Sequence, residues 1–350
     1  MGWCEEWKPI FVMLAVEVAY AAMNTVIKTA TDEGMNGLIF ITLRQLIATL
    51  FMAPVAYFRE RKTRPKLTTE IIVYLFFSAM FGTSLTQYLF FFGLRNTTAT
   101  FACAFLNMVP VLTFLIALPF RLETLNVKTR AGIAKLLGTI ICLVGATLLT
   151  FYKGVALTNT THQSSVSKQQ GRYNASYSTK QWMMGSMAYL AGCLSWSSWF
   201  LLQSKVGKKY PALYSGSFLI FFLGFLQGAV LSLATQKSFS VWVLKKKVEI
   251  ITVIVSGIAG SGFCFLAMSW CVEKRGPVFT AAFTPLLQIL VAGIDFSILH
   301  EPLYLGSVLG SVLVIPGLYF LLWGKRKEAQ SSAAKTTEEN EEHQVQLQTV

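Results

Sequence analysis

Charge is scarce in this chain. Only 13% of its 350 residues are Asp, Glu, Lys or Arg, about half of the roughly 25% that a soluble domain carries. Histidine is scarcer, with His162, His300 and His343 alone, and no His, Cys, Asp and Glu set has the spacing of a metal site. There is no Gly-x-Ser-x-Gly elbow, no glycine-rich nucleotide loop and no P-loop. These absences argue against an enzyme and against an ATP-driven pump, and they imply neither cofactor nor metal. Of the cysteines, Cys103, Cys142, Cys193, Cys264 and Cys271 fall within apolar runs and Cys4 lies outside them. None has zinc-type spacing, and they read as small core or lipid-facing residues. What is abundant is apolar: 54% of residues are hydrophobic and the mean hydropathy is +0.53. The composition is that of an integral membrane protein.

About 20 apolar residues are needed to cross a hydrocarbon core of roughly 30 Å. Ten such runs are present, near 10–30, 37–58, 71–94, 99–120, 131–151, 182–203, 211–233, 248–272, 278–298 and 304–323. They are expected to be helices, since lipid offers backbone amides no water partner. The net charge of +13 is spread in short clusters between these runs. That pattern encodes membrane orientation rather than nucleic-acid binding, and no aromatic-interleaved basic patch accompanies it. With a cytosolic N-terminus, 19 Lys and Arg outside or at the ends of the runs face the cytosol and 9 the opposite side. The excess puts both termini in the cytosol. Glu5 and Glu6 precede the first run, where a signal peptide would carry basic residues.

Two stretches share their parts. Asn107 to Gly154 offers Pro110, Glu123, Gly138, Gly145 and Lys153. Gly276 to Lys325 offers Pro285, Glu301, Gly310, Gly317 and Lys325 with matching late spacings. An internal repeat follows, dividing the chain into a first five-helix unit at 8–151, a non-cytosolic polar loop at 152–181, a second five-helix unit at 182–325 and a disordered cytosolic tail at 326–350. Five spans is an odd number, so the second unit is expected to lie upside down relative to the first. Inverted repeats of this kind are a transporter architecture. Asn159 and Asn174 head glycosylation sequons in the polar loop.

Polar groups inside spans mark functional positions when they face an interior. Glu17, Asn24 and Lys28 recur on one helical face of the first span and suggest a water-lined cleft. Packing of Glu17 and snorkelling of Lys28 is the structural alternative. Arg44, in the second span, suits either an ion pair with Glu17 or a substrate carboxylate held by its planar fork. Gln87 follows Thr83 and Ser84 in the third span. The fourth span carries Asn107 and Pro110, and the ninth carries Thr284, Pro285 and Gln288. A proline frees a backbone carbonyl, so these two spans combine hydrogen-bonding groups with the flexure of a gate. Pro110 and Pro285 are the expected hinges. The glycines of spans five and ten read as close-packing positions.

The run NMVPVLTFLIALPFRLE followed by AKLLGTIICLVGA, and GPVFTAAFTPLLQIL followed by HEPLYLGSVLGSVLVIPGLYFLLWGK, resemble the plant nodulin-like transporters. These are the EamA-type, "walls are thin"-related (UMAMIT) group of the drug/metabolite transporter superfamily. Lys28, Arg44-Gln45 and Ala53-Pro54-x-Ala56-Tyr57 agree as well, and the resemblance covers about residues 8–325. It implies an all-α membrane protein with ten transmembrane helices in two inverted EamA-like repeats. It further implies transport of amino acids, or of auxin and related metabolites, by export or bidirectional facilitation, at the plasma membrane or the vacuole. The expected protein is thus a secondary carrier of small polar metabolites, amino acids foremost, working by alternating access in the plasma membrane. In that reading Asn107, Gln87, Thr284 and Gln288 hydrogen-bond the solute, Asn24 lines the cleft, and Lys28 and Arg44 attract a carboxylate. Glu17, where the group is expected to have a neutral polar residue, is the candidate for proton coupling. The alternatives are a carrier of auxin-like aromatic acids and a non-transporting receptor or scaffold. The expected partners are the solute and the lipid bilayer, with no nucleic acid.

Overall fold

The computed structural model describes residues 3–32, 35–96, 105–120, 122–123, 128–152, 179–235, 242, 244, 246–298 and 305–348. Among them every long element is helical and none is a strand. Helix α1 is Trp3–Asp32 and α2 is Gly37–Glu60, whose first turn is capped by the Asn36 side chain accepting from the Leu38 amide. Thr68 caps α3, Thr69–Ala79, which passes through a π-helical segment at Met80–Ser84 into α4, Leu85–Asn96. Next come α5, Val109–Ala117, and α6, Arg130–Phe151, capped by Thr129. Then follow α7, Thr179–Lys209, and α8, Leu213–Thr235. Helix α9, Lys247–Val255, runs through a second π-helical segment, Ser256–Cys264, into α10, Phe265–Arg275. The last elements are α11, Pro277–Ala281, α12, Thr284–Ile298, and α13, Leu305–Gln348. Gly276, at φ +87°, makes the corner between α10 and α11, a backbone region that side-chain-bearing residues avoid.

Five of these helical stretches are long and apolar enough to cross a membrane: Gly37–Glu60, Thr69–Leu94, Leu213–Thr235, Lys247–Arg275 and Val308–Glu328. The ten apolar runs of the sequence predict ten spans. The fourth and ninth runs fall short as continuous helices because both are interrupted, at Asn107–Met108 and Ala282–Phe283. The predicted disordered tail is also different in the structure, where α13 continues as helix to Gln348. Its Lys, Glu, Gln and Ala content has high intrinsic helix propensity, and the preceding span supplies the nucleus that an isolated segment lacks.

Packing between the halves of the chain is mirrored. Helix α1 lies against α12, and α7 lies against α5. Helix α2 meets the second π segment, and α8 meets the first. The most extensive pairing joins α6 to α13. Its seam is made by glycines: a Cβ on Gly138 would stand 2.5 Å from the Leu321 amide nitrogen and 2.6 Å from the Gly317 carbonyl oxygen. Absent side chains let the two backbones touch. The central core gathers Met13, Met52, Leu75, Trp199, Phe200, Phe221, Phe265 and Phe283 from both halves.

The basic helix ends collect on one face. Glu60 at the end of α2 accepts from the Tyr214 and Ser215 amides at the start of α8, at 3.1 and 2.7 Å. Lys209 at the end of α7 pairs with Glu70 at the start of α3. Trp7 of α1 lies under the Arg326 guanidinium of α13, 6.0 Å from ring centroid. On the same face Glu123 pairs with Lys325 and, at 3.3 Å, with the buried Lys135, which also reaches Glu328 at 2.5 Å. This four-residue chain ties α6 to α13 beyond their glycine seam. Glu123→Gln leaves two lysine charges short of a carboxylate. Removing one partner of a buried pair costs about 3–5 kcal/mol, so the purified variant is expected to melt well below the parent in a thermal unfolding scan, and an unchanged melting temperature would show that the network contributes little.

Candidate functional site

At the middle of the helix assembly, α1, α2, α4, α7, α8, α10 and the two π segments surround a small cavity of about 20 Å³. That is room for about one water, far under the roughly 300–1,000 Å³ of typical ligand pockets, so the polar groups converge on a closed site. Tyr20, Arg44, Gln45, Thr83, Gln87 and Ser261 supply its polar wall. Trp196, Phe221 and Phe265 supply its aromatic one.

The π segments explain why polar side chains converge there. A π turn takes one more residue per hydrogen-bonded ring and puts carbonyls out of the α-helical register, a feature frequent at functional sites. Side chains from neighbouring helices meet these carbonyls. In the first π segment, Gln45 Nε2 donates to the Thr83 carbonyl at 2.9 Å, and Ser195 Oγ donates to the Phe81 carbonyl at 3.4 Å. In the second, the Tyr20 hydroxyl donates to the Gly260 carbonyl at 3.3 Å. Arg44 Nε donates to Ser261 Oγ at 2.7 Å. Small residues make the approach possible. A Cβ on Gly224 would strike the Gln45 amide and the Thr83 hydroxyl, and one on Gly257 would stand 2.7 Å from Ile47 side-chain atoms.

Two features of this wall point to a ligand. The buried Oε1 atoms of Gln45 and Gln87 have no hydrogen-bond partner among the described residues, which is uncommon for buried polar groups. The Arg44 guanidinium has no carboxylate in ion-pair range there either, its one hydrogen bond going to Ser261 through Nε. A cation in a spanning segment without a counter-ion is costly and functional by default. Arg44 and Glu17 both lie in the electrostatic neighbourhood of Tyr20 and Cys264, so the carboxyl is close to the cavity without lining it.

The residues expected from sequence divide into three groups. Arg44 and Gln87 line the cavity. Glu17 is buried beside it. Asn107 and Gln288 form a pair of their own, with Asn107 Nδ2 donating to Gln288 Oε1 at 3.2 Å across the two interrupted spans. Thr284 is half-buried at the first position of α12. None of these last three belongs to the cavity wall. Asn24 is exposed on α1. The side chain of Lys28 lies outside the described residues, as do Asn159 and Asn174.

Both predicted hinges sit where a helix restarts. Pro110 and Pro285 each occupy the second position of a new helix, after the breaks at Asn107–Met108 and Ala282–Phe283. A proline is well placed in a first helical turn, where its missing amide is not needed. The fourth and ninth runs are therefore broken rather than bent, at matching places in the two halves. Tyr20, Gln45, Ser261, Phe221 and Phe265 are additions that sequence reasoning did not single out as a site. A signal was present in the small-residue stretches Phe81-Gly82-Thr83-Ser84 and Gly257-Ile-Ala-Gly260-Ser261-Gly262, at like positions of the third and eighth runs.

The EamA-like transporter family model matches this chain twice, at residues 7–151 and 183–323. The chain belongs to the EamA-like transporter family. Its curated relatives agree. A WAT1-related protein of Arabidopsis thaliana is 46% identical over 329 residues, covering 94% of this chain and 90% of its own length. A second WAT1-related protein of the same plant is 44% identical over 326 residues, covering 93% of this chain and 89% of its own. The Arabidopsis protein WALLS ARE THIN 1 is 36% identical over 330 residues, covering 92% and 84%. One solved crystal structure superposes with a TM-score of 0.66 over 91% of this chain and 98% of its own, at 13% identity, a likeness of fold alone. The EamA-like chain is accordingly a multi-pass membrane protein of a transporter family, and the family is not one of enzymes.

Proposed function

We propose that this EamA-like chain is a secondary carrier, working as an exporter or a bidirectional facilitator, for small metabolites that bear a carboxylate, amino acids foremost. The observation that carries the reading is the central cavity, where mirrored π segments meet a guanidinium with no carboxylate and two amide oxygens with no hydrogen-bond partner among the described residues. The guanidinium suits a carboxylate, and the Gln45 and Gln87 oxygens can accept from an ammonium group. The mirrored packing supports ten spans in two inverted repeats, whose relative motion would open the cavity to each side in turn. The gathering of basic helix ends on one face supports a cytosolic location for both termini. The plasma membrane is the proposed site, ahead of the vacuolar membrane.

A specific observation favours a second reading. Tyr20, Trp196, Phe221 and Phe265 give the cavity an aromatic wall, which suits the ring of an auxin-like acid held by Arg44. Uptake and efflux of a labelled panel, amino acids together with indole-3-acetic acid, separates the two in cells expressing the chain. Flux of several amino acids down either gradient supports the first reading, and flux of the indole acid alone supports the second. Flux of neither, with the protein shown at the cell surface, would remove both.

Two further tests bear on the residues. If the Asn107–Gln288 pair belongs to the solute path or its gate, Asn107→Leu and Gln288→Leu each lower flux at least tenfold with expression intact. A receptor without transport would be indifferent to both. If Glu17 couples flux to protons, Glu17→Gln flattens the pH dependence of uptake, and an unaltered pH profile would remove that role.

A further inference from the structure

The central cavity has room for about one water, so no metabolite enters it unless part of its wall moves. The hydrogen bonds show which parts are held. The Tyr20 hydroxyl and the Gln45 amide each donate to a π-segment carbonyl, and Arg44 Nε donates to Ser261 Oγ. Thr83 Oγ1 donates to the Ala79 carbonyl at 2.6 Å. Moving any of these leaves a buried polar group without its partner, which is costly. Phe221 and Phe265 are buried against each other, with ring centroids 4.8 Å apart.

Two lining side chains, Trp196 and Gln87, are half-buried and have no hydrogen bond among the described residues. They sit side by side. Helices α4 and α7 run antiparallel, with Phe90 against Gly192 and Gly93 against Tyr189, which puts Gln87 level with Ser195 and Trp196. Trp196 is held by ring contacts: it stacks on Trp199 at 4.8 Å and meets Phe200 edge-on at 5.6 Å. Trp199 behind it is fully buried and fixed, since even a Cβ on Gly82 would stand 2.3 Å from its ring. A ring held by stacking slides without leaving a polar group unmade. Along both helices Gln87 and Trp196 lie farther than Thr83 and Trp199 from the Glu70–Lys209 pair. They therefore wall the cavity on the side away from the basic face.

We propose that Trp196, backed by Trp199 and flanked by Gln87, is the movable wall of the cavity. Its displacement admits the solute, and the space it vacates sets how bulky that solute can be. A solute with an aromatic ring can take its place against Trp199, while a small one needs only part of that space. The proposal rests on the carrier reading only for the identity of what enters.

The test measures access to Ser261, on another wall of the cavity. Ser261→Cys is made in the full chain, and its labelling by 2-aminoethyl and by benzyl methanethiosulfonate is followed by peptide mass spectrometry, which tells this cysteine from the native ones. With Trp196 in place, the small reagent is expected to label slowly and the benzyl reagent more slowly still. Trp196→Ala should raise labelling about 100-fold, or about 2.8 kcal/mol at 1.4 kcal/mol per tenfold, somewhat under the ordinary cost of truncating a buried Trp. The benzyl reagent should gain more than the small one. Trp196→Phe should raise both rates less, and it carries the test if the alanine variant does not fold. Phe221→Ala, which removes a buried ring from the same cavity, should leave both rates near those of the parent. Rates unchanged by either Trp196 variant, or raised as much by Phe221→Ala, would overturn the proposal. Faster labelling of a Trp196 variant in a chain that moves no carboxylate would keep the movable wall and remove the carrier.

Discussion

Arg44→Gln is expected to abolish flux of carboxylate-bearing solutes while leaving the protein folded. The argument rests on what surrounds the side chain. Arg44 lies on α2 facing the central cavity, and Nε is anchored to Ser261 Oγ at 2.7 Å. No described carboxylate pairs with it. A guanidinium fixed at one nitrogen keeps the rest of its planar fork for a bidentate partner. Truncating one member of a desolvated, hydrogen-bonded charge pair costs about 2–5 kcal/mol, or roughly 30- to 4,000-fold in the transport of the carboxylate. Arg44→Lys keeps the charge and loses the fork, so it should fall between the parent and the glutamine variant. Folding need not suffer, because no ion pair among the described residues is broken. A structural role makes the opposite forecast: Arg44→Gln would lower the melting temperature and spare the flux of whatever protein remains folded.

The second large effect is on stability. Gly138→Leu or Gly317→Leu should largely abolish recovery of folded protein. On Gly317 even a Cβ would stand 2.7 Å from the Cys142 amide nitrogen and 3.0 Å from the Gly138 carbonyl oxygen. These obstacles are backbone, which no side-chain rotation removes. Overpacking a core ordinarily costs about 1–3 kcal/mol when neighbours can shift, and here the whole of α6 must move away from α13. Alanine at either position should already lower the melting temperature. Gly293 is the control, since a Cβ there meets nothing within 4 Å. Gly293→Ala should be neutral or mildly stabilising through helix propensity alone. Size-exclusion of detergent-solubilised protein, followed by thermal unfolding, separates these cases. Leucine at Gly138 with parent-like recovery and melting would show that the seam is not close-packed in the folded protein.

Much of the fold was legible from composition, because lipid leaves so few choices: apolar runs of sufficient length become helices. The glycines of the fifth and tenth runs read as close-packing positions, and the structure adds that these two helices pack against each other. Pro110 and Pro285 announced irregularity in the fourth and ninth runs. A proline can either bend a helix or open a new first turn, and only the backbone shows that Asn107–Met108 and Ala282–Phe283 are breaks. Of the site, Arg44 and Gln87 stood out as polar groups in spans. The π segments did not, because no residue type specifies a π turn and the chain remains helical through it. Gln45 and Ser261 became visible only with those turns, since their placement depends on which carbonyls fall out of register. Asn107 and Gln288 show the converse. Both read as solute ligands, and they bond to each other, a pairing that separate runs of sequence cannot display.

The account stands or falls on whether solute passes through this chain by way of the Arg44 cavity. Counterflow in proteoliposomes, with purified protein, labelled solute outside and an excess of the same unlabelled solute inside, measures carrier action directly. Amino acids and indole-3-acetic acid are run side by side, each with the parent and with Arg44→Gln. The account expects transient accumulation of label above equilibrium for at least one of these carboxylates with the parent, and none with Arg44→Gln. Accumulation that is equal in both proteins would contradict the site, and no counterflow of any carboxylate by the folded parent would contradict the carrier itself.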